Sequence, residues 1–592
     1  MVRAVPLLLL LVVMAPEARP QATAPSSYEF VGPFVMGKTE LDGDPLAVHG
    51  GADAVFARYE RGEKQRFLSE LATGGYVGWT TLRAARGSGA TRIEPKVNWN
   101  QLVSGLSGRG VLEFQGWAFG RVTVQEPGHY LASCRGVTSF WLDGKLLTGD
   151  VYHTGRAQWP VELDAGSHLF RLRPRGTPPI SIACQLTPAP TAAESLQLQS
   201  PPFLPDVFER GFLGGAAPLP LPVLNTSPNW VQLDRVELDS AAAASGLLTV
   251  SLVDAEGQGI LIAPGQLLLV PVVLTHQTPH QPLKCALRVS LRIRGVPLYS
   301  TEANSTLRDA GRDTDGGVRE YVWTRLQPLE MECRKRADSF RFTFIDHDGS
   351  VSEAGAVAPW GVDLPPKVPI VLSLHGTGVS ARSQADSYKF MPTKGTVGYT
   401  QKGKYRFGVE GAWLCTPDRH GAHNWDSATG QKTAMTAAEA LASLTRQHTW
   451  ASDETETLQA ADAARIVYAG HSMGGHGAWV LATSDPDRAL GVVVGAGWTS
   501  KEYYGTANAL FGHDISSTYT EPALMGLLRS TVHESDVDRF ASNLAGLPVL
   551  VRVGELDGTV PPYWSRKMSR LLKNVGVDVK YSELPGKEHW WW

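Results

Sequence analysis

Hydrophobic positions fall into two regimes along the chain. Between residues 28 and 187, apolar and polar positions alternate. Gly128-His129-Tyr130-Leu131-Ala132-Ser133-Cys134 and Ser139-Phe140-Trp141-Leu142 do so, as do 161–163 and His168-Leu169-Phe170-Arg171-Leu172. The turn sequences Asp143-Gly144-Lys145 and Asp164-Ala165-Gly166 follow two of these runs. A period of two with turn residues between runs marks half-buried strands, and strands at this spacing predict a β-sandwich. Residues 203–315 repeat the pattern at 247–253, 267–274 and 286–293 and predict a second β-rich domain, immunoglobulin-like in outline. The stretch between them, 188–202, is rich in Pro, Ala, Ser and Gln and predicts a linker.

From residue 338 the pattern changes. Short, continuous apolar runs appear at 368–374, 412–415, 465–469, 490–494, 548–553 and 577–581. Continuous apolarity means that both faces of a strand are covered, as in a parallel sheet. Helical patterns at 433–447 and 474–483 lie between the runs. Alternating strand and helix predicts a doubly wound, mostly parallel α/β sheet over 338–592. In such sheets ligands bind at the carboxyl ends of the strands, so residues just after the runs carry the chemistry.

Charge narrows the partners. The chain has 592 residues, with 55 basic and 58 acidic side chains. That balance offers no field to draw nucleic acid or an anionic membrane. Arg3, the apolar run 7–14 and the small residues Ala15, Ala18, Ala22 and Ala24 read as a signal peptide over 1–22 and predict a secreted protein. The run is too short to span a bilayer, which takes about 20 residues. Five cysteines fit an oxidising compartment. Cys134 can pair with Cys184, and Cys285 with Cys333, while Cys415 sits in an apolar strand and reads as a buried thiol. Sequons at Asn225 and Asn304 suit the same route.

Gly470-His471-Ser472-Met473-Gly474-Gly475 follows the run 465–469 and opens the helix at 474. A G-x-S-x-G turn between strand and helix lifts a serine oxygen to the sheet edge, and glycines flank it because a side chain there would strike strand or helix. Serine is a weak nucleophile until a base takes its proton, and the base needs an acid to hold it. The acid should follow a late strand. Asp557 does so after 548–553, with Glu555 as the alternative. His589 is the one histidine after 577–581. An oxyanion hole would draw one amide from Met473 and another from Gly376 or Thr377, in the loop His375-Gly376-Thr377-Gly378 after 368–374. Arg419, Asn424 and Trp425 follow the run 412–415 and are candidates for substrate contact. Tyr503, Tyr504 and Phe511 could form a lid or fill the core.

The motifs LHGTG, GHSMGGHGAW, VRVGELDGTVPP and LPGKEHW occur in that order. Together they resemble the prolyl oligopeptidase-type catalytic domain and, more broadly, secreted α/β-hydrolase esterases. The resemblance implies a serine hydrolase cutting a peptide or ester bond, with Ser472, Asp557 and His589 as its triad and no cofactor. Two departures stand out. Prolyl oligopeptidases place a β-propeller before this domain, whereas sandwich-like regions precede it here. The family also continues into a final helix, whereas this chain ends at Trp592, which reads as a truncated domain. The segment around 128–172 resembles carbohydrate-binding and protective-antigen β-sandwich modules, which implies a glycan as a partner. The second reading is therefore an inactive hydrolase-like protein that binds glycans or surfaces.

Asp346-His347-Asp348-Gly349 lacks the spacing of a calcium loop and reads as a hairpin turn. His533-Glu534 lacks the second histidine of a zinc protease. His471 and His476 alone make no metal site, so no metal is expected.

Overall fold

The computed structural model describes residues 22–36, 43–97, 113–176, 179–208, 211–253, 259–277, 287–298, 321–335, 337–390, 406–418, 425–446, 459–500, 504 and 521–591. The expected signal peptide therefore falls almost wholly outside the described residues. So do Cys285, Asn304, Arg419, Asn424, Tyr503 and Phe511.

Two antiparallel sheets form the first region. One carries Trp79–Arg83, Ser27–Met36, Glu113–Val124, Gly166–Leu172, Ser139–Leu142 and Lys145–Thr148. The other carries Trp159–Leu163, Gly128–Arg135, Ile180–Pro188 and Ala90–Ile93. The link from Ser139–Leu142 to Lys145–Thr148 is the two-residue turn Asp143-Gly144, with φ of 48° and 86°. Two positive φ values match the twist of flanking strands, which is why Asp-Gly stands there. Cys134 and Cys184 face each other across neighbouring strands and are joined by a disulfide. They lie in a core with Tyr28, Phe114, Phe140 and Phe170.

The second region is also built of two sheets. Its strands are Leu196–Leu198, Ala216–Asn225, Leu267–His276 and Leu248–Leu252 on one side. Ile260–Ile262, Trp230–Leu238, Arg288–Leu298, Val322–Trp323 and Gln327–Glu330 form the other. The stretch read as a linker thus supplies an edge strand, because Leu196 finds a place in this core beside Val223 and Leu233. The sheets also extend past residue 315, to Glu330. The sequon at Asn225 is corrected by the fold: its side chain is fully buried and donates to the carbonyls of Asn229 at 2.8 Å and Ile262 at 3.1 Å. Cys333 is disulfide-bonded. Cys415 is a buried free thiol whose ionisation burial opposes.

An eight-stranded sheet forms the C-terminal region. In chain order its strands are β1 (Phe340–Ile345), β2 (Val351–Val357), β3 (Lys367–Leu374), β4 (Trp413–Pro417), β5 (Ala460–His471), β6 (Ala489–Gly495), β7 (Val549–Gly554) and β8 (Val579–Leu584). Their spatial order is β1-β2-β4-β3-β5-β6-β7-β8. Pairs within β1-β2-β4 are antiparallel and all others are parallel. The sheet is buried on both faces. Ile370, Leu372, Trp413 and Cys415 face one large core that also takes the helices Ala428–Arg446, Met473–Ser484 and Pro562–Asn574. Val371, Leu414 and Ala469 face a smaller core with Ala385 of the helix Ala381–Ser387. The alternation explains the continuous apolar runs, since each neighbouring residue is buried on the opposite side.

The second sandwich docks on this sheet. Phe208 and Leu213 are buried in the large core of this region, with the Phe208 ring 5.1 Å from Phe340. Asp206 accepts the backbone N–H of Arg341 at 2.8 Å, tying the segment between the first two strands of this sandwich to β1. The turn Asp346-His347-Asp348-Gly349 links β1 to β2, and the Asp346 carboxylate accepts from Ser352 and from Thr433 of the helix Ala428–Arg446.

Candidate active site

Ser472 sits between β5 and the helix Met473–Ser484, with φ 59° and ψ −121°. A side-chain-bearing residue holds such a backbone only where its surroundings force it, at a cost of roughly 1–3 kcal/mol. Close packing supplies the force. A Cβ on Gly470 would lie 2.1 Å from the Gly474 carbonyl oxygen, and one on Gly474 would lie 1.9 Å from that of Leu374. Both contacts are far inside van der Waals distance, so the two glycines let β3, β5 and the helix meet. The helix is buried from Met473 to Thr483. The amide of Met473 belongs to its first turn, where N–H groups have no intrahelical partner.

The loop after β3 lies against this turn. A Cβ on Gly376 would be 3.4 Å from the Ser472 Cβ, and the Thr377 hydroxyl lies 3.7 Å from the Met473 sulfur. Beneath the loop, Trp425 is fully buried and donates its indole N–H to the His375 carbonyl at 2.9 Å. This corrects the expectation for Trp425. With no exposed surface it cannot touch substrate, and it supports the loop from below. Tyr504 stacks on Trp498 at 4.3 Å and donates to the Thr559 carbonyl at 3.1 Å, so it packs beside the turn that carries Asp557.

At the end of β7, Asp557 is buried. One of its oxygens accepts the backbone N–H groups of Thr559 at 2.9 Å and Val560 at 2.8 Å. Its other oxygen is 2.8 Å from Nδ1 of His589. Glu555, the alternative acid, points elsewhere and accepts the Gly586 N–H at 2.8 Å. Leu556 donates its N–H to the Lys587 carbonyl at 2.8 Å. The segment carrying His589 is therefore fastened to the turn after β7.

His471 is the residue that sequence reasoning missed. Its Nε2 is 3.0 Å from the His589 carbonyl oxygen, and the two rings are 4.9 Å apart. Trp590 stacks on His471 at 4.6 Å and Trp591 meets it edge-on at 5.0 Å. Burial, with a smaller contribution from His589, lowers the His471 pKa to about 4. The variable position of a G-x-S-x-G pattern gives no sign of such a contact, because the partner is 118 residues away. Ser472, Asp557 and His589 thus come to one end of the sheet, with Met473, Gly376 and Thr377 beside the serine. A buried Asp–His pair can take a proton from a hydroxyl within its reach, and a helix N-terminus can stabilise a developing anion. No group of three or more His, Cys, Asp or Glu side chains is placed to hold a metal among the described residues.

Residues 446–592 match the family model of the prolyl oligopeptidase family. An "Uncharacterized secreted protein" of Arthroderma benhamiae is 25% identical over 599 residues, which cover 95% of this chain and 56% of the relative. The chain therefore spans about half the length of that relative. Among solved structures, an S-formylglutathione hydrolase from Agrobacterium tumefaciens is 17% identical, with a TM-score of 0.27, covering 43% of this chain and 88% of that one. A thermostable esterase from Pseudomonas putida is also 17% identical, with a TM-score of 0.28, covering 43% of this chain and 74% of that one. Residues 446–592 are thus similar to the prolyl oligopeptidase family, and they lie in the C-terminal region whose strands build the eight-stranded, mostly parallel sheet.

Proposed function

We propose that this protein is a secreted serine hydrolase that cuts an ester or peptide bond through an acyl-enzyme on Ser472. In this reading the sheet is doubly wound, with the site at the carboxyl ends of its strands. His589 takes the Ser472 proton as the serine oxygen attacks the substrate carbonyl. Because Nδ1 faces Asp557, Nε2 is the nitrogen left for the serine. The tetrahedral oxyanion is held by the Met473 amide and an amide of Gly376 or Thr377. His589 then protonates the leaving group, and in the second half-reaction it activates water to release the acid. The 2.8 Å pairing of His589 with a buried, doubly anchored Asp557 carries the proposal. A structural Asp-Gly turn has no need of a histidine from another loop.

A fluorophosphonate probe tests this directly. The folded full chain is expected to label, and Ser472→Ala to abolish the label. A folded chain that does not label, or a Ser472→Ala variant that labels equally, overturns the reading. Acyl esters and prolyl peptides assayed side by side then assign the bond. Secretion rests on the sequence of residues 1–22 and on the relative's printed name. N-terminal sequencing of exported protein should begin near residue 23, and a mature chain retaining Met1 would contradict it.

A further inference from the structure

The tethers of the His589 segment are one-sided. Glu555 holds Gly586, Leu556 holds Lys587 and Asp557 holds His589. All three grip it from the end of β7, whereas Ser472 follows β5, two strands away in the sheet. Those bonds fix His589 to its acid, and on the Ser472 side the segment is met by the packing of Trp590 and Trp591 and by one side-chain hydrogen bond, from His471.

We propose that His471 sets the distance from His589 to Ser472, as a positioning residue that ties the His589 main chain to the nucleophile turn. The proposal rests on the hydrolase reading above. A carbonyl oxygen only accepts, so at 3.0 Å from the His589 oxygen Nε2 of His471 carries the proton. Nδ1 is then bare, and it bonds to nothing among the described residues. The ring has no slack. A Cβ on Gly495, at the end of β6, would be 3.0 Å from its Cδ2, and Trp590 covers its other side at 4.6 Å. His471 is thus wedged between β6 and the segment that bears His589. Its own backbone runs directly into Ser472, so the hydrogen bond from its ring joins the His589 main chain to the turn that carries the nucleophile. Catalytic groups displaced by 1 Å lose on the order of 100-fold in rate, which makes one well-placed tether a large effect.

The test compares His471→Leu, His471→Gln and His471→Asn in the full chain. Leucine keeps the bulk and removes the donor. The glutamine amide reaches the Nε2 position, and asparagine falls one methylene short. Expected for Leu is a loss of about 30-fold in kcat and in fluorophosphonate labelling rate, with KM within about twofold. Gln should recover to within about threefold of wild type, and Asn should track Leu. Should Leu fail to fold, the Gln–Asn difference alone decides. Equal rates in Gln and Asn, or a wild-type rate in Leu, overturn the proposal while leaving the hydrolase intact. A wild-type chain that neither labels nor turns over removes the hydrolase reading, and this proposal falls with it.

Discussion

The Ser472 turn and the His589 segment lie side by side at the end of one sheet, yet they are held in opposite ways. The turn is held by what is missing. Gly470 and Gly474 leave room for backbones that a methyl group would separate, and Ser472 is forced to φ 59°. The His589 segment is held by what is added, in hydrogen bonds from Glu555, Leu556, Asp557 and His471. A site made by exclusion fails all at once when it is filled. A site made by tethers fails by degrees, according to which tether is cut.

The most damaging cut should be at Asp557. Its carboxylate accepts from two backbone amides and from His589 at the same time. Asparagine has a single acceptor oxygen and a donor amide, so it cannot satisfy all three. The histidine is then free to turn or to take the wrong tautomer. We expect Asp557→Asn to lower kcat by about 10,000-fold with KM little changed. A loss below about tenfold would mean that the pairing is structural only.

Filling the turn comes next. In Gly474→Ala the new methyl would meet the Leu374 carbonyl oxygen at 1.9 Å and its carbon at 2.5 Å. Both are backbone atoms of a central strand, so nothing cheap can give way. We expect a loss of about 4 kcal/mol or more from the catalytic domain, read as a lower denaturation midpoint for its unfolding transition. An unchanged midpoint would show that the turn tolerates bulk and is not held by exclusion.

The same contrast decides what was legible in the sequence. A turn made by exclusion is written in consecutive residues, and Gly470-His471-Ser472-Met473-Gly474 announces itself. The apolar runs were equally readable, because a strand buried on both faces has no polar positions to confuse the period. Tethers join residues remote in sequence. His471 was visible only as a lone histidine too few for a metal site, and Glu555 only as a rival to Asp557. Trp425 was misread because a tryptophan after a strand end looks the same whether it lines a pocket or supports one from below. The stretch 188–202 looked like a linker because its leucines were outweighed by Pro, Ala and Ser, yet Leu196 alone is enough to seat an edge strand.

A third arrangement, buried charge, lies where β1 and β2 meet the second sandwich. Glu353 on β2 pairs with Arg341 at 2.6 Å, and Asp206 accepts the backbone amide of the same arginine at 2.8 Å. Asp418 is 3.2 Å from Nε2 of His375, which opens the loop beside Ser472. Burial pushes the Glu353 pKa up to about 7; Arg341 opposes this, while Asp418 and Asp206 add to it. The folded pKa is thus raised above the ordinary 4.5. The neutral form is favoured in the fold, so its contribution is full below about pH 4.5 and is lost as pH rises through about 7. The loss amounts to about 3 kcal/mol at most. Glu353→Gln should flatten this fall, seen as a smaller drop in the catalytic-domain unfolding midpoint between pH 5 and pH 8. An equal drop in the variant would place the pH dependence elsewhere.

The smallest effect sharpens the comparison most. Glu555 accepts the Gly586 N–H at 2.8 Å, but it is exposed, and the neighbouring bond from Leu556 to Lys587 grips the same segment. Water can replace an exposed acceptor, so Glu555→Ala should cost about 1 kcal/mol or less, a few-fold in kcat. His471 supplies the side-chain hydrogen bond from the Ser472 side, and its half-buried ring is covered by Trp590 and Trp591. The ratio between the two variants is therefore the measurement of interest. If Glu555→Ala slows turnover as much as His471→Leu, every tether counts alike and the segment is simply loose. If it is several-fold milder, the geometry that matters is the gap between β5 and the segment, and the bonds from β7 serve mainly to deliver His589 to its acid.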